Sequence, residues 1–269
     1  MSDITATVAA IAPLTERIRA LTLKGTGPLP AYAPGAHIRI ALPDGDTRAY
    51  SLIDFAPTQS PQHYTIAVQL EENGQGGSRH MHALVVGDTV QFAPPKCDFA
   101  LVDAPALFLA GGIGVTPMIS MAAALEQPFA FHYAGRSADL MAYRDDVIAR
   151  FAAQIHCDDT PSKLDLAALI ATLAPAQHLY VCGPRGMIDA TRTLAEQAGI
   201  DHARIHFELF DNAAAQSDDS AFEVQVQSTG QVFTVAPDQT IIEALEDGGV
   251  DVIYDCQRGD CGICQCDVI

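Results

Sequence analysis

Three cysteines fall close together near the end of this chain: Cys256, Cys261 and Cys264, in the run DCQRGDCGIC, with the spacing C-x4-C-x2-C. No other feature constrains the fold as hard. Thiolates this close in sequence converge on one point only if the backbone between them wraps into a tight loop. Gly259 and Gly262 stand between them, where side chains would obstruct that wrapping. Thiolates are soft ligands suited to iron–sulfur clusters and to zinc. Structural zinc sites use other spacings, whereas C-x4-C-x2-C is the pattern of a plant-type [2Fe–2S] loop. A set of inert buried thiols fits the interleaved glycines poorly. Such a cluster handles one electron at a time, so the upstream chain is expected to hold the source of those electrons.

A plant-type cluster takes four cysteines, and the fourth is expected a few tens of residues further on, past Ile269. Cys266 lies two residues after Cys264, too near along the chain to stand in for a ligand arriving from another strand. It is read as a neighbouring thiol. The expectation is therefore a truncated form, or ordered portion, of a longer protein whose full length holds the cluster.

Composition narrows the class. The chain has 269 residues, enough for two or three domains, and 49% hydrophobic residues, enough for packed cores. The start, MSDITATVAA, lacks the basic region of a signal peptide. No run reaches the roughly 18 apolar residues of a membrane span, so no membrane partner is expected. Seven cysteines clustered towards one end do not form a secreted disulfide framework and suit a reducing cytoplasm. The formal net charge of −18 argues against nucleic acid. Between Asp211 and Ile269 there are twelve Asp or Glu and one Arg, a net of −11. This is either a solubilising surface or a docking face for a basic partner.

Residues 4–100 read as β-rich, with the short runs HIRIAL, AYSLI, YTIAVQL and DTVQF separated by Pro and Gly turns and one short helix within Ser78–Val86. Evenly spaced strands suggest a small antiparallel barrel. After Pro94-Pro95 the pattern alternates. The strand ALFLAGG precedes a helix at Met118–Leu125, and the strand PFAFHYAG a helix at Tyr143–Phe151. Leu164–Leu173, HLYVCG, Met187–Gln197 and ARIHFELF continue the series. That order predicts a parallel sheet covered by helices on both faces. DNAAAQSDDS has linker composition, EVQVQSTGQVFTVA reads as a hairpin and Thr240–Leu245 as a short helix, the lead-in to a partial β-grasp domain. The division is 1–102, 103–210, a linker at 211–220, and 221–269. The fold class is β + α/β + α+β.

Several short motifs could carry chemistry. In RAYSL, strand alternation sends Arg48, Tyr50 and Leu52 to one face and Ala49 and Ser51 to the other. Arg and Tyr together can bind a phosphate and stack on a planar ring, although a strand Tyr is ordinarily sheet packing. Gly76-Gly77-Ser78 before a helix is an anion-binding arrangement. Gly112, Gly114, Thr116 and Pro117, in GGIGVTP, follow a buried strand and open a helix. Their spacing is not G-x-G-x-x-G, and a ligand-free turn is the alternative. Cys182-Gly183-Pro184 follows another buried strand at the same sheet edge; a Cys there is usually a small buried apolar residue, the reading also given to Cys97 and Cys157. Glu208-Leu209-Phe210 ends the last strand, ordinarily an exposed acid and a core Phe. His80 and His82 are read as helix surface and capping.

The order RAYSL, GGS, GGIGVTP, CGP, E-x-F and C-x4-C-x2-C resembles, over nearly the whole chain, the reductase components of Rieske-type oxygenases, specifically the phthalate dioxygenase reductase and vanillate demethylase reductase group. The resemblance implies an antiparallel flavin-binding barrel holding FMN, an NAD(P)H-binding α/β domain and a plant-type ferredoxin domain. It implies that Arg48, Tyr50 and Ser51 bind FMN, with Ser51 near flavin N5, and that Gly76, Gly77 and Ser78 hold its phosphate. It places Gly112, Gly114 and Thr116 at the nucleotide pyrophosphate and Cys182 beside the nicotinamide, with Gly183 and Pro184 also among the cofactor-binding residues. Glu208 and Phe210 resemble the acid and aromatic ring that lie over the flavin in ferredoxin–NADP reductases. Ser51, Cys182 and Glu208 are the catalytic candidates, and Cys256, Cys261 and Cys264 the metal ligands.

Two positions depart from the family pattern. Gln75 stands where many relatives have Arg, so a phosphate ligand is lost unless Arg48 or Arg79 compensates. Arg136-Ser137 falls where the adenosine ribose should lie; the family leans to NADH, but an Arg there leaves NADPH open. The implied function is electron transfer from NAD(P)H through FMN and the [2Fe–2S] cluster to a Rieske-type oxygenase. The alternatives are an FAD-dependent ferredoxin-reductase-like enzyme and a non-enzymatic redox or metal-binding regulator.

Overall fold

Alternation of apolar and polar residues shapes the first part of the chain into an antiparallel sheet. A computed structural model describes residues 4–72, 74, 76–210, 220–237, 239–250, 252–253, 264 and 266. Strands β1 (Ile4–Pro13), β2 (Ile18–Gly25), β3 (His37–Ala41), β4 (Thr47–Ser51), β5 (His63–Gln69) and β6 (Thr89–Phe92) take the order β4-β3-β6-β1-β2-β5. The Ile53 N–H donates to Thr65 O at 2.9 Å, drawing the two ends of that order together into a half-barrel. Its interior is filled by Leu21, Leu23, Ile38, Ile40, Tyr64, Ile66 and Phe92, all fully buried. Helix α1 (Gly77–Ala83) packs here through Met81.

The second sheet is parallel, in the order β11-β10-β7-β8-β9. Its strands are β7 (Ala106–Gly111), β8 (Phe129–Gly135), β9 (Gln154–Cys157), β10 (His178–Cys182) and β11 (Ile205–Glu208). Every residue of β7 is buried, as expected for a central strand covered on both faces. Phe108, Phe131 and Tyr180 pack with Met118 and Ile119 of α2 (Val115–Ala124) and Val147 of α3 (Arg144–Phe151). On the other face Leu107, Leu109 and Val181 meet Leu169 and Ile170 of α4 (Leu166–Ala171) and Ile188 and Ala195 of α5 (Arg185–Gln197). The strand order reverses between β7 and β10, which makes their carboxyl ends the switch point of the sheet.

Helix α2 starts at Val115, three residues before the expected Met118, because the 3-10 turn Gly112–Gly114 runs straight into it. Strand β9 was not anticipated. It is a four-residue edge strand with a polar sequence, QIHC, too short to show a period. Residues 1–210 form one compact unit and 211–269 another. In the second, β12 (Phe222–Gln225) and β13 (Val232–Val235) pair as an antiparallel hairpin, followed by α6 (Ile241–Asp247). Thr240 and Glu243 close a capping box at its start. Residues 211–219 of the linker expected at 211–220, together with Gln75, Cys256 and Cys261, lie outside the described residues. Cys264 is half-exposed and Cys266 exposed.

Candidate functional site

Strand β4 sets the flavin-side candidates. Tyr50 packs against the barrel core, and burial pushes its hydroxyl up to about 12 while Arg48 pulls the other way. Ser51, the last residue of β4, is 6% exposed, and its Oγ has no hydrogen-bond partner among the described residues. Alternation would put Ser51 on the barrel's outer face. That face is dry here because Ile18, Ile53, Ala67 and Phe99 join the core of the parallel sheet.

Gly76 caps α1 with φ 97, a left-handed conformation that L side chains rarely adopt. A Cβ on Gly77 would stand 2.8 Å from Cγ and 3.0 Å from Nε of Arg48, so the Arg48 stem lies against the start of α1. Arg48 also pairs with Asp46 and donates to Thr47 O. Ser78 Oγ accepts from the Glu71 N–H at 3.0 Å, which leaves its hydroxyl proton to donate elsewhere. Arg79 does not compensate for Gln75: its Nη1 and Nη2 donate to Glu72 O and Gly74 O, stapling the preceding loop.

At the switch point the backbone of the glycine turn touches β10. A Cβ on Gly114 would lie 2.2 Å from Cys182 O and 2.7 Å from Gly183 N. Thr116 is buried and donates to Ile113 O at 3.0 Å, so its hydroxyl proton serves the turn. Cys182 is fully buried and stands in register with Ala110 on one side and Glu208 on the other. The carboxylate and the thiol therefore share one sheet edge. The ordinary reading of E-x-F is inverted: Glu208 is 2% exposed and Phe210 39% exposed.

Sequence reasoning missed the polar residues gathered near that edge. His37, directly opposite Ser51 across β3 and β4, is buried, and its side chain projects to the same side. His37 Nε2 lies 4.0 Å from Asp98 Oδ2, and Lys96 Nζ 3.2 Å from Asp98 Oδ1. Burial pushes the Cys97 thiol up, and the nearby charges of Glu208 and Asp98 add to the shift. Nothing in the run HIRIAL distinguishes His37 from a surface strand residue; the signal is the pairing of distant segments.

At the far end of β8, Arg136 is exposed. The Ser137 hydroxyl donates to Asp139 Oδ1 at 2.5 Å and holds that carboxyl below its usual range. The turn after β9 docks here, with the Asp158 N–H on Gly135 O at 3.0 Å and the Asp159 N–H on Arg136 O at 3.3 Å.

Comparison with known proteins bears directly on this arrangement. Residues 224–269 match the 2Fe-2S iron-sulfur cluster binding domain. The carnitine monooxygenase reductase subunit of Escherichia coli (strain K12) is 36% identical over 96% of this chain and 84% of its own length. The vanillate O-demethylase oxidoreductase of Pseudomonas sp. (strain HR199 / DSM 7063) is 40% identical over 88% of this chain and 78% of its own. The solved structure of phthalate dioxygenase reductase, described as modular for electron transfer from pyridine nucleotides to [2Fe-2S], aligns with a TM-score of 0.74 and 30% identity. That alignment covers 98% of this chain and 85% of the other. The chain belongs to this oxygenase-reductase family.

The reductase is thus an NAD(P)H-dependent flavin and iron–sulfur oxidoreductase, with FMN, a pyridine nucleotide and a [2Fe–2S] cluster as the family's cofactor set. The residues present fit a flavin. Among the described residues the buried Ser51 hydroxyl has no partner, a state costing about 1–3 kcal/mol unless a ligand atom completes it. The cation Arg48 lies beside the Gly76–Ser78 turn. Cys264, with the residues of its motif, supplies the soft donors that a cluster takes.

Proposed function

We propose that this reductase takes a hydride from NADH onto FMN and passes single electrons through the [2Fe–2S] cluster to a Rieske-type oxygenase component. The observation that carries the reading is the register placing Cys182 beside Glu208 at the switch point, in the same unit as β4 with its buried Ser51. When bound, the flavin supplies the conversion of a two-electron donor into one-electron steps.

The side chains divide the remaining work. Ser51 Oγ offers a hydrogen bond at the N5 edge, Tyr50 a flat wall, and Arg48 with Gly76, Gly77 and Ser78 a seat for the phosphate. Gly112, Gly114 and Thr116 receive the pyrophosphate with backbone N–H groups at the start of α2. Cys182, Gly183 and Pro184 would border the nicotinamide with the Glu208 carboxylate beside them, and the exposed Phe210 ring would cover the flavin. Cys256, Cys261 and Cys264 ligate the cluster. The working division of the chain is a barrel at 1–102, a nucleotide domain at 103–210, a linker at 211–220 and a ferredoxin domain at 221–269.

The charge around Arg136 favours NADH. Ser137 already donates to Asp139, and the turn carrying Asp158 and Asp159 lies against Gly135 and Arg136. Three carboxylates would oppose the 2′-phosphate of NADPH, whereas a ribose 2′-OH can donate to one of them.

A plant-type cluster near about −400 mV lies below Rieske centres at about −150 to +300 mV, so transfer to such a partner is downhill. Cytoplasmic location is supported by the reduced thiols of Cys97 and Cys157. Among the described residues no helix is long and apolar enough to cross a membrane. Steady-state ferricyanide reduction, NADH against NADPH, with mass analysis of the released flavin, tests the reductase and its coenzyme. Anaerobic reduction of a purified Rieske oxygenase by the full protein tests the partner. Release of FAD, or no turnover with either nucleotide, would overturn the reading.

A further inference from the structure

Beside the shared apolar packing of Ile18, Ile53 and Ala67, two sets of directed contacts join the half-barrel to the parallel sheet. In one, the Gly35 N–H donates to Ser120 Oγ at 3.2 Å and the Val102 N–H to the Tyr180 hydroxyl at 2.8 Å. Phe99 meets Tyr180 with ring centroids 5.7 Å apart. A Cβ on Gly35 would stand 2.3 Å from Phe99 O and 2.6 Å from Met121 Cε, so this joint is closed to within van der Waals contact. The second joint is aromatic. Phe55 stacks on Phe151 at 6.0 Å and 17°, meets Tyr143 edge-on at 5.8 Å and 64°, and carries the Arg150 guanidinium 4.9 Å from its ring centroid.

The place of Phe55 in the chain gives this second joint leverage. It lies four residues after Ser51. Its partners belong to α3 and its cap, the first α-helix after the Arg136–Ser137 turn. Tyr143 caps α3 with φ 56, a strained conformation for a residue with a bulky side chain. Such strain persists where the surroundings fix the residue, and the Phe55 ring lies directly against it. The aromatic joint adds a second, separate point of attachment close in sequence to Ser51.

We infer that Phe55 is a positioning residue that latches the flavin-side strand β4 to the nucleotide sheet through Tyr143, Phe151 and Arg150, and so sets the approach of the nicotinamide to the flavin. The inference rests on the function proposed above. Phe55 touches no reacting atom and acts through the relative placement of Ser51 and the Gly111–Thr116 turn.

The test uses the flavin-loaded protein with Phe55→Ala, Phe55→Leu and Arg150→Ala, read by anaerobic stopped-flow absorbance. Misplacement of about 1 Å lowers a rate by roughly 10²-fold. Flavin reduction at saturating NADH should therefore slow by roughly 10- to 100-fold in Phe55→Ala, with loss of the charge-transfer absorbance that precedes it. KM should change by less than about threefold. Arg150→Ala and Phe55→Leu should shift both signals in the same direction by less, and they decide the matter if Phe55→Ala does not fold. Hydrogen exchange on flavin-free protein supplies a second readout: Arg144–Phe151 amides should exchange faster in Phe55→Ala, with Ile119–Met121 unchanged. Unmodified reduction rates and charge-transfer absorbance, or unchanged α3 exchange, would overturn the latch. If the unmodified protein is reduced by neither NADH nor NADPH, the parent reading fails first and the latch with it.

Discussion

Replacing Gly114 with alanine separates the two functions of the larger unit. The new Cβ would stand 2.2 Å from Cys182 O and 2.4 Å from its carbonyl carbon. An ordinary C···O approach is about 3.3 Å, so the glycine turn must retreat by about 1 Å. The obstacle is backbone, held between β7 and β11 in the parallel sheet, and it has no rotamer to change. Overpacking of this kind costs about 1–3 kcal/mol; at 2 kcal/mol the Tm should fall by about 4–8 °C for a unit of this size. The same retreat, at the turn proposed above to receive the pyrophosphate, should lower kcat/KM for NADH by roughly 10²-fold. Flavin content should stay unchanged, because β4 and α1 belong to the other sheet. Gly186→Ala is the control. It lies inside α5 with nothing within 4 Å of the added methyl, and should stabilise by about 0.5–1 kcal/mol. The assay is differential scanning calorimetry with stopped-flow reduction of bound flavin. A Gly114→Ala protein with unchanged Tm and kcat/KM would refute the close contact on which the argument stands.

Further predictions follow from single groups. Ser51→Ala should leave the flavin-free protein as stable or slightly more stable, since the lost hydroxyl has no partner, yet slow flavin reduction by about tenfold or more; a loss of stability without flavin would contradict this. Burial, with His178 beside it, pushes His206 down to about 4. A histidine depressed in the folded state contributes full stability above its unfolded value near 6.5 and loses it as pH falls from there towards 4. After discounting for partial exposure, the loss should be about 1–2 kcal/mol, and denaturant melts of His206→Phe should show a flatter pH dependence over that window. Asp139→Asn combined with Asp158→Asn and Asp159→Asn should raise kcat/KM for NADPH by about tenfold and leave NADH nearly unchanged. Arg136→Ala should affect the two nucleotides alike; a selective loss of NADPH activity would instead make Arg136 a phosphate ligand.

Much of the fold was legible because burial imposes periods on sequence. ALFLAGG, buried on both faces, reads as an uninterrupted apolar run, and the α5 segment carries its helix over the whole expected length. Strand β9 escaped because four edge residues, two of them Gln and His, carry no period. The sequence places the start of α2 three residues late because the glycines before it form a 3-10 turn leading into the helix. Exposure of E-x-F came out inverted because the register of β11 on β10, a contact between distant segments, decides which residue is covered. Pairing across strands also creates what no motif shows: the His37–Asp98 cluster, and the stacked pairs His132–His156 and His178–His206. Arg79 illustrates the converse. A cation in the right stretch of sequence is committed to loop carbonyls once the loop folds.

The central claim is that one unit brings a pyridine nucleotide and FMN together for hydride transfer. Anaerobic titration of the purified protein with NADH, followed by absorbance, tests it most directly. The account predicts stoichiometric bound FMN, bleached in full by one equivalent of NADH, with denaturation releasing FMN. Protein that binds no flavin, or bound flavin that neither NADH nor NADPH bleaches, would contradict it.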